Sequence, residues 1–381
     1  MDAQGAIYGF TMNGGGGTGD SCSQGGCSTI FKITPAGQKT VLYTFFDGFN
    51  HKGARVSGMV LDEAGNIFGT TINGGYGNRG IVFRLAPDST YTVLHTFNEQ
   101  HLAAGLYPLG GVVFGHAGNL YGTTWQGGEI GSRCAKGCGT VYRITTQGAL
   151  TTLYRFKGPP DSCFPQAAIT VDAADNIYGT ASGGCGLNTF GNVFRIGPDG
   201  AMAVLHKFRG GRDSAQPAAP PVMDAAGNLF GTTIYGGSHD CGWRINGPGC
   251  GLVYKIASDG TYSVLYNFKG GFSRTGDGRR RGDGRGAPSV LFLDGKGNLY
   301  APPIRAATPA PATTRSAAAR SSRSRRTGRR PCCTGFPGAA MAAFPITAWC
   351  RAEVRTATIS SARPRSAPGA AACLQDQEVA V

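Results

Sequence analysis

The chain has 381 residues, of which 63 are Gly and 21 are Pro, and only 15% are charged. That composition suits many short strands joined by tight turns. It leaves no sustained amphipathic helix and no apolar run able to span a membrane. The net charge of +14 is unevenly placed: residues 1–300 carry 24 Lys and Arg against 19 Asp and Glu, and residues 301–381 carry 12 against 3. Nucleic-acid binding needs basic residues on a folded face, and the near-neutral first 300 residues show no such pattern.

Met1 leads straight into the strand-like AIYGF, with no basic n-region or apolar h-region. The expectation is either a protein exported by no classical signal or a start inside a longer one. Three blocks then recur. The first, GN-(I/L)-(Y/F)-GTT, places its aromatic at Tyr8, Phe68, Tyr121, Tyr178, Phe230 and Tyr300. The second, G-x-V-(F/Y)-(K/R)-(I/L), centres on Phe31, Phe83, Tyr142, Phe194 and Tyr254. The third, V-L-(Y/H)-x-F, ends at Phe45, Phe97, Phe156, Phe208 and Phe268, with Thr152 in place of Val in one copy. The first five aromatics of the first block are spaced by 52 to 60 residues, which is a tandem repeat.

Each copy offers four strands, rich in β-branched and aromatic residues and punctuated by Gly, Asn and Asp. In the clearest copy they cover 110–115, 119–124, 139–144 and 150–156. Turns such as DEAGN (62–66) and DAAGN (224–228) join the first two strands, since Asp and Asn bond their own backbone and Gly accepts positive φ. Short turns such as PAG (35–37) and SDG (258–260) join the last two. Four antiparallel strands in about 50 residues is the arithmetic of a β-propeller blade. A ladder-like β-solenoid is the alternative, but its coils are usually shorter. The expected fold is therefore all-β, with tandem four-stranded blades over residues 3–300: about five blades and part of a sixth. The first blade lacks its opening strand, and APSVLFLD (287–294) is a candidate donor.

The pattern GN-x-Y-GTT-xx-GG, then G-x-V-F-x-I and VL-Y-x-F, resembles the bacterial GloVer tandem repeat. Proteins carrying it are called choice-of-anchor tandem repeat GloVer-containing proteins. The resemblance covers roughly residues 3–300. It implies an extracytoplasmic or cell-surface protein with variable C-terminal anchoring signals, and it implies no known activity. Neither an anchor nor an export signal is visible in this chain.

After Tyr300 the expected GTT gives way to a run of Ala, Pro, Ser and Arg. So few β-branched and aromatic residues bury too little to offset chain entropy, and residues 301–381 are expected to be a disordered basic tail. A reading-frame error is the preferred origin. With one base restored after Tyr300, and with permissible codons, Ala301–Ile304 reads GTTY. Ala319–Phe336 then reads GAVFEVTPDGTETVLYRF, and Ala357–Pro364 reads GNHLFGTT. These are repeat blocks in repeat order.

Eight cysteines fall in loop-like positions before residue 301. Cys22/Cys27, Cys134/Cys138 and Cys241/Cys250 each lie between strands two and three of one blade, and Cys163 and Cys185 flank strands one and two of another. Local disulfides in an oxidising compartment are the expectation. Unused thiols and zinc are the alternatives, but no paired CxxC or HxxxH spacing marks a metal site. No cofactor motif is present, and the six His show no catalytic spacing. Asp47, Asp161 and Asp213 recur after the third block, where turns recur. The Asp/Asn turns offer oxygen ligands for Ca²⁺, but a plain Asx turn is the expected role.

Trp125, Gln126 and Tyr235 occupy variable positions between GTT and GG. On an exposed rim they would suit a glycan or protein ligand, and core packing is the competing role. The function expected is a non-catalytic extracytoplasmic scaffold or binding module. A propeller enzyme acting on carbohydrate or peptide, with acids around a central channel, is the alternative. Nothing in the sequence fixes the oligomeric state.

Overall fold

The three blocks become strands two, three and four of successive sheets. Second strands are Ile7–Gly15, Ile67–Thr71, Leu120–Thr124, Ile177–Ala181 and Leu229–Tyr235. Third strands are Cys27–Ile33, Ile81–Leu85, Thr140–Ile144, Asn192–Ile196 and Leu252–Ile256. Fourth strands are Lys39–Thr44, Tyr91–Thr96, Leu150–Arg155, Met202–Lys207 and Tyr262–Asn267. Opening strands precede them from the second sheet onward: Val56–Leu61, Val112–Phe114, Thr170–Val171 and Val222–Met223. Each sheet is an antiparallel meander, so the protein is all-β and propeller-like. The structure is a computed structural model describing residues 1–15, 27–45, 55–130, 134–159, 161–183, 185, 190–217, 219–237, 249–268, 273–274, 280–281 and 291–300. The tail expected over 301–381 lies outside the described residues.

Among the described residues the first sheet has three strands. Phe292–Leu293, inside the candidate donor segment, pairs instead with Leu299–Tyr300 as the start of a sixth copy. The fifth sheet gains an extra strand, Ala215–Pro217, on the far half of its long second strand.

The sequence blocks have direct packing causes. The Gly of GTT lies under the aromatic of the third strand: a Cβ on Gly69 would sit 2.6 Å from the Phe83 ring, and Gly122, Gly179 and Gly231 stand in the same relation to Tyr142, Phe194 and Tyr254. In every sheet the register slips where the third strand reaches that aromatic, for example between Val82 and Phe83. The skipped residue on the fourth strand is Leu42, Leu94, Leu153, Leu205 or Leu265, the Leu of the V-L dipeptide. A bulge at that point bends the strand and turns the block's closing Phe inward.

That Phe then meets the next sheet. Phe45 packs on Phe83, Phe97 on Tyr142, Phe156 on Phe194 and Phe208 on Tyr254, at centroid distances of 5.3–5.5 Å. Edge-to-face and tilted pairs of this kind add to the large apolar area each ring buries. Opening strands also approach backbone to backbone: a Cβ on Gly58 would stand 2.8 Å from the Cα of Gly111. The larger inter-sheet contacts among the described residues all join consecutive sheets.

One rim is clasped by the turns between strands one and two. Asp62, Asp172, Asp224 and Asp294 each accept the backbone N–H and the side-chain amide of the Asn four residues on, at 2.7–2.9 Å. Arg84 and Arg195 then donate to Asn66 Oδ1 and Asn176 Oδ1 from the third strand. Burial opposes ionisation of Asp172, but the bonds from Asn176, Ala174 and Tyr178 outweigh it and hold its carboxyl below the usual range. In the third sheet Gly115 stands where the others have Asp. Asp175 of the fourth sheet, at φ 59°, fills the gap by accepting from the His116 N–H at 2.9 Å.

Candidate functional site

The opposite rim carries the long, variable loops, and there the backbone is strained. Tyr107, Phe164 and Gln216 each precede a proline and hold φ of 59°, 60° and 54°. Non-Gly residues in this region cost roughly 1–3 kcal/mol and cluster at ligand-binding sites. Each is pinned to the preceding sheet: Tyr107 N–H donates to Arg79 O, Phe164 N–H to Cys138 O and Gln216 N–H to Phe190 O. Trp125 N–H in turn donates to Tyr107 O at 2.9 Å.

This geometry sets Tyr107 and Trp125 of the third sheet in a row beside Phe164 of the fourth. Tyr107 and Trp125 are 6.1 Å apart and Trp125 and Phe164 are 5.8 Å apart, each half-buried. Arg79 extends the row at one end, donating to the Tyr107 hydroxyl and lying 5.2 Å from its ring centroid. It also pairs with Glu99 at 2.6 Å, and that hydrogen bond holds the Glu99 carboxyl below its usual range. Gln126 adjoins Trp125, and its backbone exchanges two hydrogen bonds with Leu106. Tyr235 stands on the same rim of the fifth sheet, opposite Ala215. Sequence reading missed Tyr107, Phe164, Arg79 and Glu99, which lie outside the three blocks. The available signal was an aromatic before Pro at the opening of two successive copies.

Beside the row, Asn98 caps the short helix Glu99–Ala104, accepting from Gln100 N–H and His101 N–H. Thr152 and Thr140 anchor it by donating to Ala103 O and Ala104 O. Beneath it opens a cleft of about 710 Å³, lined by His95, Gln100, His101, Leu102, Thr152 and Arg155 among others. Burial, with a lesser contribution from His101, lowers His95 to about 4, and its Nε2 is buried without a hydrogen-bond partner. The folded pKa is therefore depressed below the 6.5 of the free side chain. Stability from this group is present above that value and should be lost as the pH falls from about 6.5 to about 4, at about 1 kcal/mol per unit. Thermal melts across this window should show a shallower slope for His95→Gln. A slope parallel to wild type would remove His95 as the cause.

The recurring acids are engaged in turns. Asp161 accepts from Lys157 N–H and the Tyr154 hydroxyl, and Asp213 accepts from Arg209 N–H and lies 3.1 Å from His206 Nε2. Burial pushes the Asp161 carboxyl up. Asp47 lies outside the described residues. Disulfides join Cys134 to Cys138 and Cys163 to Cys185. Cys27 and Cys250 are also disulfide-bonded, while Cys22 and Cys241 lie outside the described residues. Among the described residues, Cys134, Cys163 and Cys185 form a group whose ligand atoms converge as a metal site would require. No helix among them is long and apolar enough to cross a membrane.

No curated protein matches the chain. Among solved structures, the calcium-binding protein regucalcin from Agrobacterium tumefaciens is 14% identical, with 74% of this chain and 78% of that one covered at a TM-score of 0.39. A luciferin-regenerating enzyme is 14% identical over 78% of this chain and 87% of that one, at a TM-score of 0.38. Porphyromonas gingivalis dipeptidyl peptidase 4 is 11% identical over 69% and 34%, at 0.36. Residues 1–245 match the sequence model of the Gloeobacter/Verrucomicrobia repeat. With the repeat blocks accounted for strand by strand, the chain belongs to the Gloeobacter/Verrucomicrobia repeat family.

Proposed function

We propose that the protein is a non-catalytic extracytoplasmic binding module, and that it holds glycans on the variable-loop rim. The observation that carries this reading is the half-buried row Tyr107–Trp125–Phe164, fixed by backbone bonds between sheets and flanked by Gln126, Arg79 and Glu99. Adjacent rings tilted 50–56° to one another line a curved apolar strip that suits the apolar faces of sugars, and the neighbouring polar groups suit their hydroxyls. Variable loops on a rigid repeated frame are where binding residues concentrate. The disulfides support an oxidising compartment, hence the extracytoplasmic placement. The turn bonds of Asp161 and Asp213 support the non-catalytic reading, since glycoside hydrolysis needs two carboxyls facing one cleft.

The test is a glycan array followed by calorimetry with soluble β-glucan, xylan and chitin oligosaccharides. Trp125→Ala, measured at a temperature where its melting curve shows it folded, should abolish binding of whichever oligosaccharide is held. Binding by none of them, or unaltered binding by Trp125→Ala, overturns the reading. Release of reducing ends during the assay would favour the enzyme instead.

A further inference from the structure

The two disulfides of the third and fourth sheets do not merely coexist; they share one space. The ligand atoms of Cys134, Cys163 and Cys185 all lie within 4.8 Å of one another, and Cys138 is bonded to Cys134. All four side chains are at most 4% exposed, inside one apolar cluster with Phe156 and Phe194. Backbone joins the halves where Phe164 N–H donates to Cys138 O, and braces each one within itself where Gly183 N–H donates to Cys163 O and Gly137 N–H to Cys134 O. Four thiolates around a zinc-class ion at about 2.3 Å stand about 3.8 Å apart; three of these sulfurs already lie within 4.8 Å of one another, and the bond to Cys134 places Cys138 beside them as the fourth donor.

The other sheets give the contrast. Cys27 of the first sheet and Cys250 of the fifth are disulfide-bonded, yet residues 46–80 and 251–300, which follow them, contain no cysteine at all. A loop between strands two and three is thus stapled without a second pair from the next sheet. Among the described residues, a second pair, Cys163 and Cys185, is set against a first between sheets three and four.

We propose that Cys134, Cys138, Cys163 and Cys185 form a redox-gated site for a thiophilic divalent cation of the zinc class. Oxidised, the site is two disulfides; reduced, it is a single tetrathiolate shell bridging two sheets. Two equivalents of a dithiol break the two S–S bonds, are themselves oxidised to disulfides and leave four thiols. Binding then forms four metal–sulfur bonds and releases four protons. Among the described residues no second pair stands beside Cys27 or Cys250, and these open to ordinary thiols.

The experiment uses the full chain, reduced anaerobically with a phosphine and titrated with Co²⁺ as the probe. The expected result is the visible spectrum of tetrahedral cobalt–thiolate, saturating at a single ion per chain and displaced by Zn²⁺. Cys163→Ser and Cys185→Ser should each lose that spectrum, and Cys27→Ser should keep it. A readout that needs no variant is alkylation with iodoacetamide, mapped by mass spectrometry. Zn²⁺ should shield Cys134, Cys138, Cys163 and Cys185 while Cys27 and Cys250 react. No thiolate spectrum, a spectrum that survives Cys163→Ser, or shielding confined to Cys332, Cys333, Cys350 and Cys373 overturns the proposal.

Discussion

Gly139→Ala should lower the unfolding free energy by about 2–5 kcal/mol, although it adds one methyl group. Gly139 holds φ 101°, and a Cβ there would meet Thr124 O at 2.5 Å and Pro165 Cδ at 2.6 Å. The carbonyl belongs to its own sheet and the proline to the next, so neither can yield without moving backbone. Overpacking of that kind costs about 1–3 kcal/mol, and a left-handed backbone for a residue with a Cβ adds about 1–2. Gly118→Ala is the control, because Gly118 also holds positive φ, 71°, but has nothing within 4 Å of its Cβ position. Only the backbone cost, about 1–2 kcal/mol, should appear there. Urea unfolding of both variants separates the two contributions. Equal losses would mean that the seam tolerates a side chain and that the packing argument is wrong.

The second large effect is expected at Phe156. Its ring is fully buried, 5.3 Å from Phe194 of the next sheet and 5.2 Å from Tyr154 of its own. Phe156→Ala removes the ring that joins the third and fourth sheets and should cost about 3–5 kcal/mol. Phe156→Leu keeps apolar volume in place and should recover much of the loss, since near-volume-conserving swaps usually cost under about 1.5 kcal/mol. Chemical denaturation of the pair measures this directly. A shift in Phe156→Ala no larger than that in Phe156→Leu would show that the site collapses around the gap.

The strand order was legible because each block repeats an aromatic whose packing partner also repeats. Phe83 needs the space above Gly69, and Phe45 needs Phe83, so the three blocks recur together. The bulge at Leu94 and its equivalents was not legible, since V-L-H-T-F reads as ordinary alternation until the slipped register is seen. Trp125 and Gln126 were reachable as variable positions after GTT. Tyr107 and Phe164 were not, because what defines them is a left-handed backbone before proline and a bond to the preceding sheet. The sulfur cluster escaped for a different reason. Metal motifs are read from short local spacing, and here Cys134 and Cys138 come from one sheet while Cys163 and Cys185 come from the next.

The inter-sheet contacts have one more consequence. Because the substantial ones among the described residues join only consecutive sheets, the molecule behaves as a linear array of coupled units. Local damage is felt by one neighbour on each side and fades beyond it. Among the described sheets, those at either end of the array have a single neighbour there, so loosening is expected to begin at them and work inward. The row Tyr107–Trp125–Phe164 straddles two interior members of that array, the third and fourth sheets. Anything gripping all three residues at once would weld them into one block and shift the weakest point of the chain toward its ends.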